Sequence, residues 1–267
     1  MVAADLRAAG AGGDGGGHRL RAGGVGGPGG RGGRLPARAV HRLRQVDAGK
    51  PAAGRQHRMA EGAIGRRREA AAAGHAGDAA GARLYLHDSD PMVRSSSLRA
   101  LERAGDLADR EVEAALADPA PDVRLTGLEL AAGRDGISAA AAADRLTDDD
   151  RRVVEAAAWT CGEKISAGHT GGGESETAEV VDALGRVARS HDDPLCRESA
   201  IAALGAISHP AGVPAILAGL DDKPEVRRRA VIALAPFDGP EVDAALLRAT
   251  TDRDRQVRTA ATELRSL

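Results

Sequence analysis

The sequence predicts an all-α superhelix of stacked helix pairs, preceded by a disordered Gly/Ala/Arg-rich segment. Three observations carry the prediction. First, a short phrase returns at a fixed interval: its valine, or a substitute, stands at Val93, Val123, Val153, Cys196, Val226 and Val257, with spacings of 30, 30, 43, 30 and 31 residues. Self-similarity at this length marks a solenoid. Second, apolar residues recur four, seven and eight places after each anchor, as in Ala230, Ala233 and Leu234 or Ala200, Ala203 and Leu204. That spacing is one face of an α-helix. Third, Pro91, Pro121, Pro194 or Pro224 sits two places before the anchor, and Asp90, Asp150, Asp193 or Asp254 three places before it. Proline fits the first helical turn and aspartate caps it. Each anchor therefore opens the second helix of a pair.

Residues 1–34 hold 14 of the 35 glycines, mixed with Ala and Arg. Such a run lacks the side chains that offset ordering entropy. Residues 1–80 are read as one disordered, basic, low-complexity segment, a tail for nucleic acid or an acidic partner. A second reading takes them as translation from a wrong start or in a wrong frame, since the composition changes abruptly near Leu84. A short helix over Arg66 to Ala73 fits the pattern but has nothing to pack on. No Gly-Lys-[Ser/Thr] occurs, so the segment offers no P-loop.

Residues 81–267 are the array of about five to six helix pairs. The first helix of each pair is short: Arg110 to Ala117, Val180 to Ala188, Val213 to Gly219 and Pro240 to Arg248. The second helix of the fifth unit follows Asp221-Asp222-Lys223-Pro224-Glu225-Val226-Arg227, over Arg228 to Ala235. The 13-residue excess between the third and fourth units maps to a flexible loop insertion near 166–176 (Ser166 to Glu176). The last second helix runs to Leu267 with no polar capping helix after it, which predicts an exposed terminal face.

With spacing, caps and helical period in place, the array resembles HEAT repeats of the short, bilin-lyase-like class. The resemblance covers roughly residues 80–267. Its signature is a turn aspartate followed by Val-Arg: Asp88…Val93-Arg94, Asp118…Val123-Arg124, Asp221…Val226-Arg227 and Asp252…Val257-Arg258. The fourth unit keeps Arg197 after Cys196, and the third has Val154 where the arginine belongs. The resemblance implies a ladder in which each arginine pairs with the turn aspartate of its own or an adjacent unit. It also implies second helices lining the concave side.

Composition bounds the function classes. The aromatics are Tyr85, Trp159 and Phe237 alone. A solenoid of Ala, Leu and Val helices tolerates this, because each repeat buries only a thin layer against its neighbours. Residues 1–80 hold 14 Lys+Arg and 6 Asp+Glu; subtraction from 37 and 39 leaves 23 and 33 for residues 81–267, a balance of −10. An acidic array does not attract nucleic acid through its field. Cys161 and Cys196 fall on inward positions of neighbouring second helices, offset by eight residues. That offset is about 12 Å along the helix, too far for a disulfide, so both read as buried thiols of a cytoplasmic protein. No secretory h-region and no apolar run of transmembrane length occurs.

No constellation of nucleophile, base and oxyanion donors is visible. His87-Asp88-Ser89-Asp90 and His191-Asp192-Asp193 lie three units apart in turns, where aspartate is explained as turn former and cap. The run Asp148-Asp149-Asp150 has the same explanation. No His-Glu dipeptide occurs, so the di-iron activity of the HEAT-like deoxyhypusine hydroxylases is not carried over. The sequence is thus read as a non-catalytic scaffold or adaptor, with no cofactor, metal or membrane. Its partner is a protein whose identity, like the oligomeric state, stays open. The candidate partner surface is the exposed side of the second helices: Arg99, Glu102, Arg103, Glu129, Trp159, Glu198 and Arg228. The alternative is a bilin-lyase-like enzyme or chromophore-handling protein.

Overall fold

Prolines and aspartates start the helices where the phrase places them. The computed structural model describes the backbone of residues 52–168 and 172–266 and the side chains from residue 61 onward. Residues 1–51 lie outside the described residues, and with them most of the Gly/Ala/Arg-rich segment and both readings of it. The described helices are α1 (Ala52–Ala76), α2 (Ala79–Arg83), α3 (Pro91–Arg103), α4 (Asp109–Leu116), α5 (Pro121–Ala131), α6 (Ala139–Ala143), α7 (Arg151–Ser166), α8 (Gly173–Ser190), α9 (Pro194–Ile207), α10 (Val213–Ala218), α11 (Pro224–Ala233), α12 (Pro240–Ala249) and α13 (Arg255–Leu264). No strand occurs among the described residues. Asp90, Asp150, Asp193 and Asp254 accept from backbone N–H groups two or three residues on, as N-caps. Ala120 and Lys223 hold the two N-cap places without a side-chain bond.

The helices alternate between two rows. The second helices α3, α5, α7, α9, α11 and α13 pack each on the next, with α2, α4, α6, α8, α10 and α12 as their first helices. One continuous core runs through the stack. All six anchors are buried, from Val93 and Cys196 at 0 % exposure to Val123 at 2 %, and all but Val93 belong to this core. Cys161 and Cys196 are both buried and free. Burial pushes the Cys161 thiol up to about 12 and that of Cys196 up to about 11. Both should resist a water-soluble thiol reagent in the native protein and react at once in denaturant; fast native labelling of either would contradict the packing.

Two expectations meet a different structure. The array begins before residue 81. Helix α1 joins the second-helix row against α3, and the expected short helix over Arg66 to Ala73 lies in its C-terminal half. Arg66 reaches Asp88 with two bonds, 2.6 and 3.0 Å, and Tyr85 Oη donates to Glu69. The packing stripe of α1 is Ala63, Ala70 and Gly74. These small residues carry little apolar signal yet let the backbones approach. A Cβ on Gly74 would lie 2.6 Å from Cα of Ala100.

The 166–176 insertion is part turn and part helix: Ala167, Gly168 and Gly172 are turn, residues 169–171 lie outside the described residues, and α8 already begins at Gly173. Residues 173–176 form the first turn of α8, whose 18 residues carry a stripe of Val180, Val181, Leu184 and Val187. Acidic Glu174 and Glu176 suit its first turn. Glu176, 7 % exposed, accepts from the N–H of Ala140 at the start of α6 and from that of Gly172. The inserted residues thereby cap a neighbouring helix. Beside them Lys164, 0 % exposed, donates Nζ to the carbonyls of Ala131 and Arg134 and closes the C-terminal end of α5.

Candidate interaction surface

The arginine ladder holds the turns in register and so sets the second-helix row. Arg94 donates Nε and Nη2 to Asp118 of the next turn at 2.8 and 2.6 Å, and Nη1 to the carbonyl of Asp88 in its own turn. Arg124 makes the same set with Asp148 and the Asp118 carbonyl. Arg197 does so with Asp222 and the His191 carbonyl, and Arg227 with Asp252 and the Asp222 carbonyl. The fork therefore always reaches the adjacent unit, and the own turn supplies only a carbonyl. In the fifth unit the rung is Asp222, four residues before the anchor, and not Asp221, five before it. The ladder breaks once. Buried Val154 replaces the arginine and His191 stands where its aspartate would be. Both partners are absent together, so no buried charge is stranded.

These bonds also set protonation. Arg227 and the N–H of Asp254 hold Asp252 below its ordinary range against the effect of burial, and Arg197 does the same for Asp222. Burial pushes Asp118 and Asp148 up, yet the bonds from Arg94 and Arg124 outweigh it and leave both low. The His/Asp clusters are absorbed the same way. Asp88 binds Arg66, Asp90 caps α3, and the His191 ring accepts from the N–H of Asp193.

The outward side of the second helices follows one register. Positions one before the anchor and six after it lie two turns apart on the same face. Among the described residues seven large apolar side chains are exposed: Ile64, Leu84, Met92, Trp159, Leu195, Ile232 and Leu247. Five of them occupy this register, counting α1 from its ladder arginine. Ile64, Met92 and Leu195 stand one before the anchor, and Trp159 and Ile232 six after it. Only Trp159 was picked out by sequence reasoning. Aligning the repeats and asking which outward positions are apolar would have found the others.

The remaining candidates separate. Arg99 and Glu129, both six after the anchor, are exposed and pair with each other at 2.6 Å. Glu102 is exposed and bound by Arg134, and Arg103 is exposed at the end of α3. Glu198 and Arg228, two after the anchor, are half-buried. Glu198 binds Arg229 of α11 rather than Arg228. The face thus divides. On α3 and α5 the position six after the anchor is taken by the Arg99–Glu129 pair, with exposed Met92 one before the anchor of α3. On α7, α9 and α11 it carries Trp159 at 50 %, Leu195 at 43 % and Ile232 at 45 % exposure. Small Ala202 of α9 stands level with Trp159 and Ile232, which flank it from α7 and α11. With helix axes 8–10 Å apart, the two large side chains stand roughly 16–20 Å apart across an alanine floor.

Residues 181–265 match the family model of HEAT repeats. Solved structures share the helical-repeat architecture. An engineered protein from the Northeast Structural Genomics Consortium matches with a TM-score of 0.52 at 18 % identity, over 71 % of this chain and 97 % of that one. YibA of E. coli matches with a TM-score of 0.53 at 19 % identity, over 69 % of this chain and 68 % of that one. A designed armadillo repeat protein in complex with the peptide (KR)4 matches with a TM-score of 0.52 at 16 % identity, over 69 % and 97 %. No curated protein matches the chain.

Proposed function

We propose that this HEAT-like repeat array is a non-catalytic scaffold that holds a protein partner on its second-helix face. The observation that supports this most is the shared register of five exposed apolar side chains. Scattered surface apolar residues need no explanation, but a cluster on one face marks an interaction surface. We place the centre of the interface at Trp159, Leu195 and Ile232, with the charged residues Arg99, Glu102, Arg103, Glu129, Glu198 and Arg228 as its polar surround. A half-exposed tryptophan over an alanine floor is the kind of anchor that dominates protein interfaces. We propose a cytoplasmic location, which the two buried, unpaired thiols support. A chromophore-handling role would call for aromatic platforms, and this face offers Trp159 alone.

The test is capture of the partner by the full chain, followed by reconstitution from the two purified proteins. Trp159→Ala should weaken the reconstituted complex about 30-fold or more, the loss typical of a hot-spot residue. Leu247→Ala, on a first helix, should leave it unchanged. As the only tryptophan, Trp159 should also shift its emission on binding. A complex that survives both Trp159→Ala and Ile232→Glu at full strength would remove this face from the proposal.

A further inference from the structure

A crevice of about 460 Å³ opens between the turn before α3, helix α4 and the turn before α5. That volume lies in the range of small-molecule sites, about 300–1,000 Å³. Its floor is apolar and tightly packed: Leu98 and Val123 are 2 % exposed and Ala115 is 3 % exposed. Two carboxylates stand in its wall, and both are engaged. Asp118 takes the fork from Arg94 and the N–H of Ala120. Glu111 takes Arg83 and the N–H of Ala108.

Two exposed groups at the rim are not engaged. Neither Arg110 nor His87 makes a hydrogen bond or ion pair among the described residues; the field of Arg110 reaches Glu111 without a bond. The repeat does not account for them. The place of His87, one before the turn residue, holds Ala117, Thr147, Ser190, Asp221 and Thr251 in the other units. The place of Arg110, second in the first helix, holds Ala140 in α6 and Glu241 in α12. Residues that build the array recur through it, and these two do not.

We infer that this crevice binds a small monocarboxylate with a compact apolar body. The apolar part lies against Leu86, Ala114, Ala117 and Pro119, the accessible apolar members of the lining, with Leu98, Ala115 and Val123 packed beneath them. The carboxylate meets the free guanidinium of Arg110 in a two-bond fork, and His87 supplies a further N–H. A dianion such as phosphate suits the site less, since Asp118 and Glu111 in the wall repel a second charge. This site is independent of the protein-binding face, and either stands without the other.

The experiment is ligand-observed NMR on the full chain with benzoate and hexanoate, using benzamide and hexanamide as uncharged controls. Each carboxylate should bind in the roughly millimolar range expected of ligands this small. The amides should bind about tenfold more weakly. Arg110→Gln should bring the carboxylates down to the level of the amides, and His87→Gln should cause a smaller loss. Both residues are exposed, so an unchanged melting temperature checks that the variants fold. Three results overturn the inference: amides that bind as well as carboxylates, carboxylate binding untouched by Arg110→Gln, or no binding of any probe at these concentrations.

Discussion

Arg227→Ala should destabilise the array by about 3 kcal/mol, the lower end of the cost of stranding one partner of a buried ion pair. The Arg227 side chain is 5 % exposed and that of Asp252 is 16 % exposed. Three bonds are lost together: two to Asp252 at 2.9 and 2.8 Å and one to the Asp222 carbonyl at 2.8 Å. The remaining carboxylate and carbonyl stay where water reaches them poorly. For a domain of this size the loss corresponds to a melting point lower by roughly 6–12 °C. Lysine should not restore it, because an ammonium cannot make the two-bond fork and reach the carbonyl at once. Arg99→Ala is the control. Its pair with Glu129 is exposed on both sides, and such pairs contribute about 0–1 kcal/mol. Equal melting points for the two variants would show that the ladder does not hold the turns together.

The same rung sets an acid response. Arg227 keeps the folded pKa of Asp252 below the ordinary 3.8. The stabilisation is fully present above that ordinary value and is lost as pH falls through the lower, folded one. Asp88, Asp118, Asp148 and Asp222 are shifted in the same direction. Acid unfolding should therefore begin below about pH 4, and the gap between the natural chain and Arg227→Ala should narrow there. A gap that stays constant into stronger acid would mean that the carboxylate is not what Arg227 stabilises.

Gly205→Leu should cost a further large amount, about 3 kcal/mol, at the upper end of overpacking penalties. A Cβ on Gly205 would stand 2.8 Å from both Cα and Cβ of Ala233. The obstacle is the α11 backbone, not the far end of a flexible side chain, so the two helices must separate. The same juxtaposition recurs between Gly162 and Ala203 and between Gly74 and Ala100. Each glycine lies nine places after its anchor and each alanine seven after the next. Gly133→Ala is the matched control. It follows α5, meets no atom within 4 Å of the added Cβ and has no positive φ. That change should be neutral or stabilise by up to about 1 kcal/mol through the unfolded chain. If Gly205→Leu melts like Gly133→Ala, the close seam between α9 and α11 is not a constraint on this fold.

The sequence alone determined whatever depends on neighbours along the chain. The period, the anchors, the capping aspartates and the first-turn prolines are local, since a helix start needs only a few adjacent residues. Cys196 was legible as an anchor for the same reason: it occupies the valine's place and is 0 % exposed. Tertiary structure decided what depends on distance through space. Helix α1 escaped the pattern because its packing face is alanine and glycine, whose value appears only when the α3 backbone comes close. The inserted residues looked like a loop from their glycines, whereas Glu176 is ordered by the α6 N-terminus it caps, 36 residues away. The direction of the arginine fork was equally undecided: for Arg94 its own turn residue Asp88 lies six residues back and Asp118 lies 24 residues on, and only the stacking brings the more distant carboxylate to the fork. The outward apolar register became visible only once the helices were stacked. Periodicity marks the side of a helix that is buried, and neighbouring helices decide how much of the other side is left open.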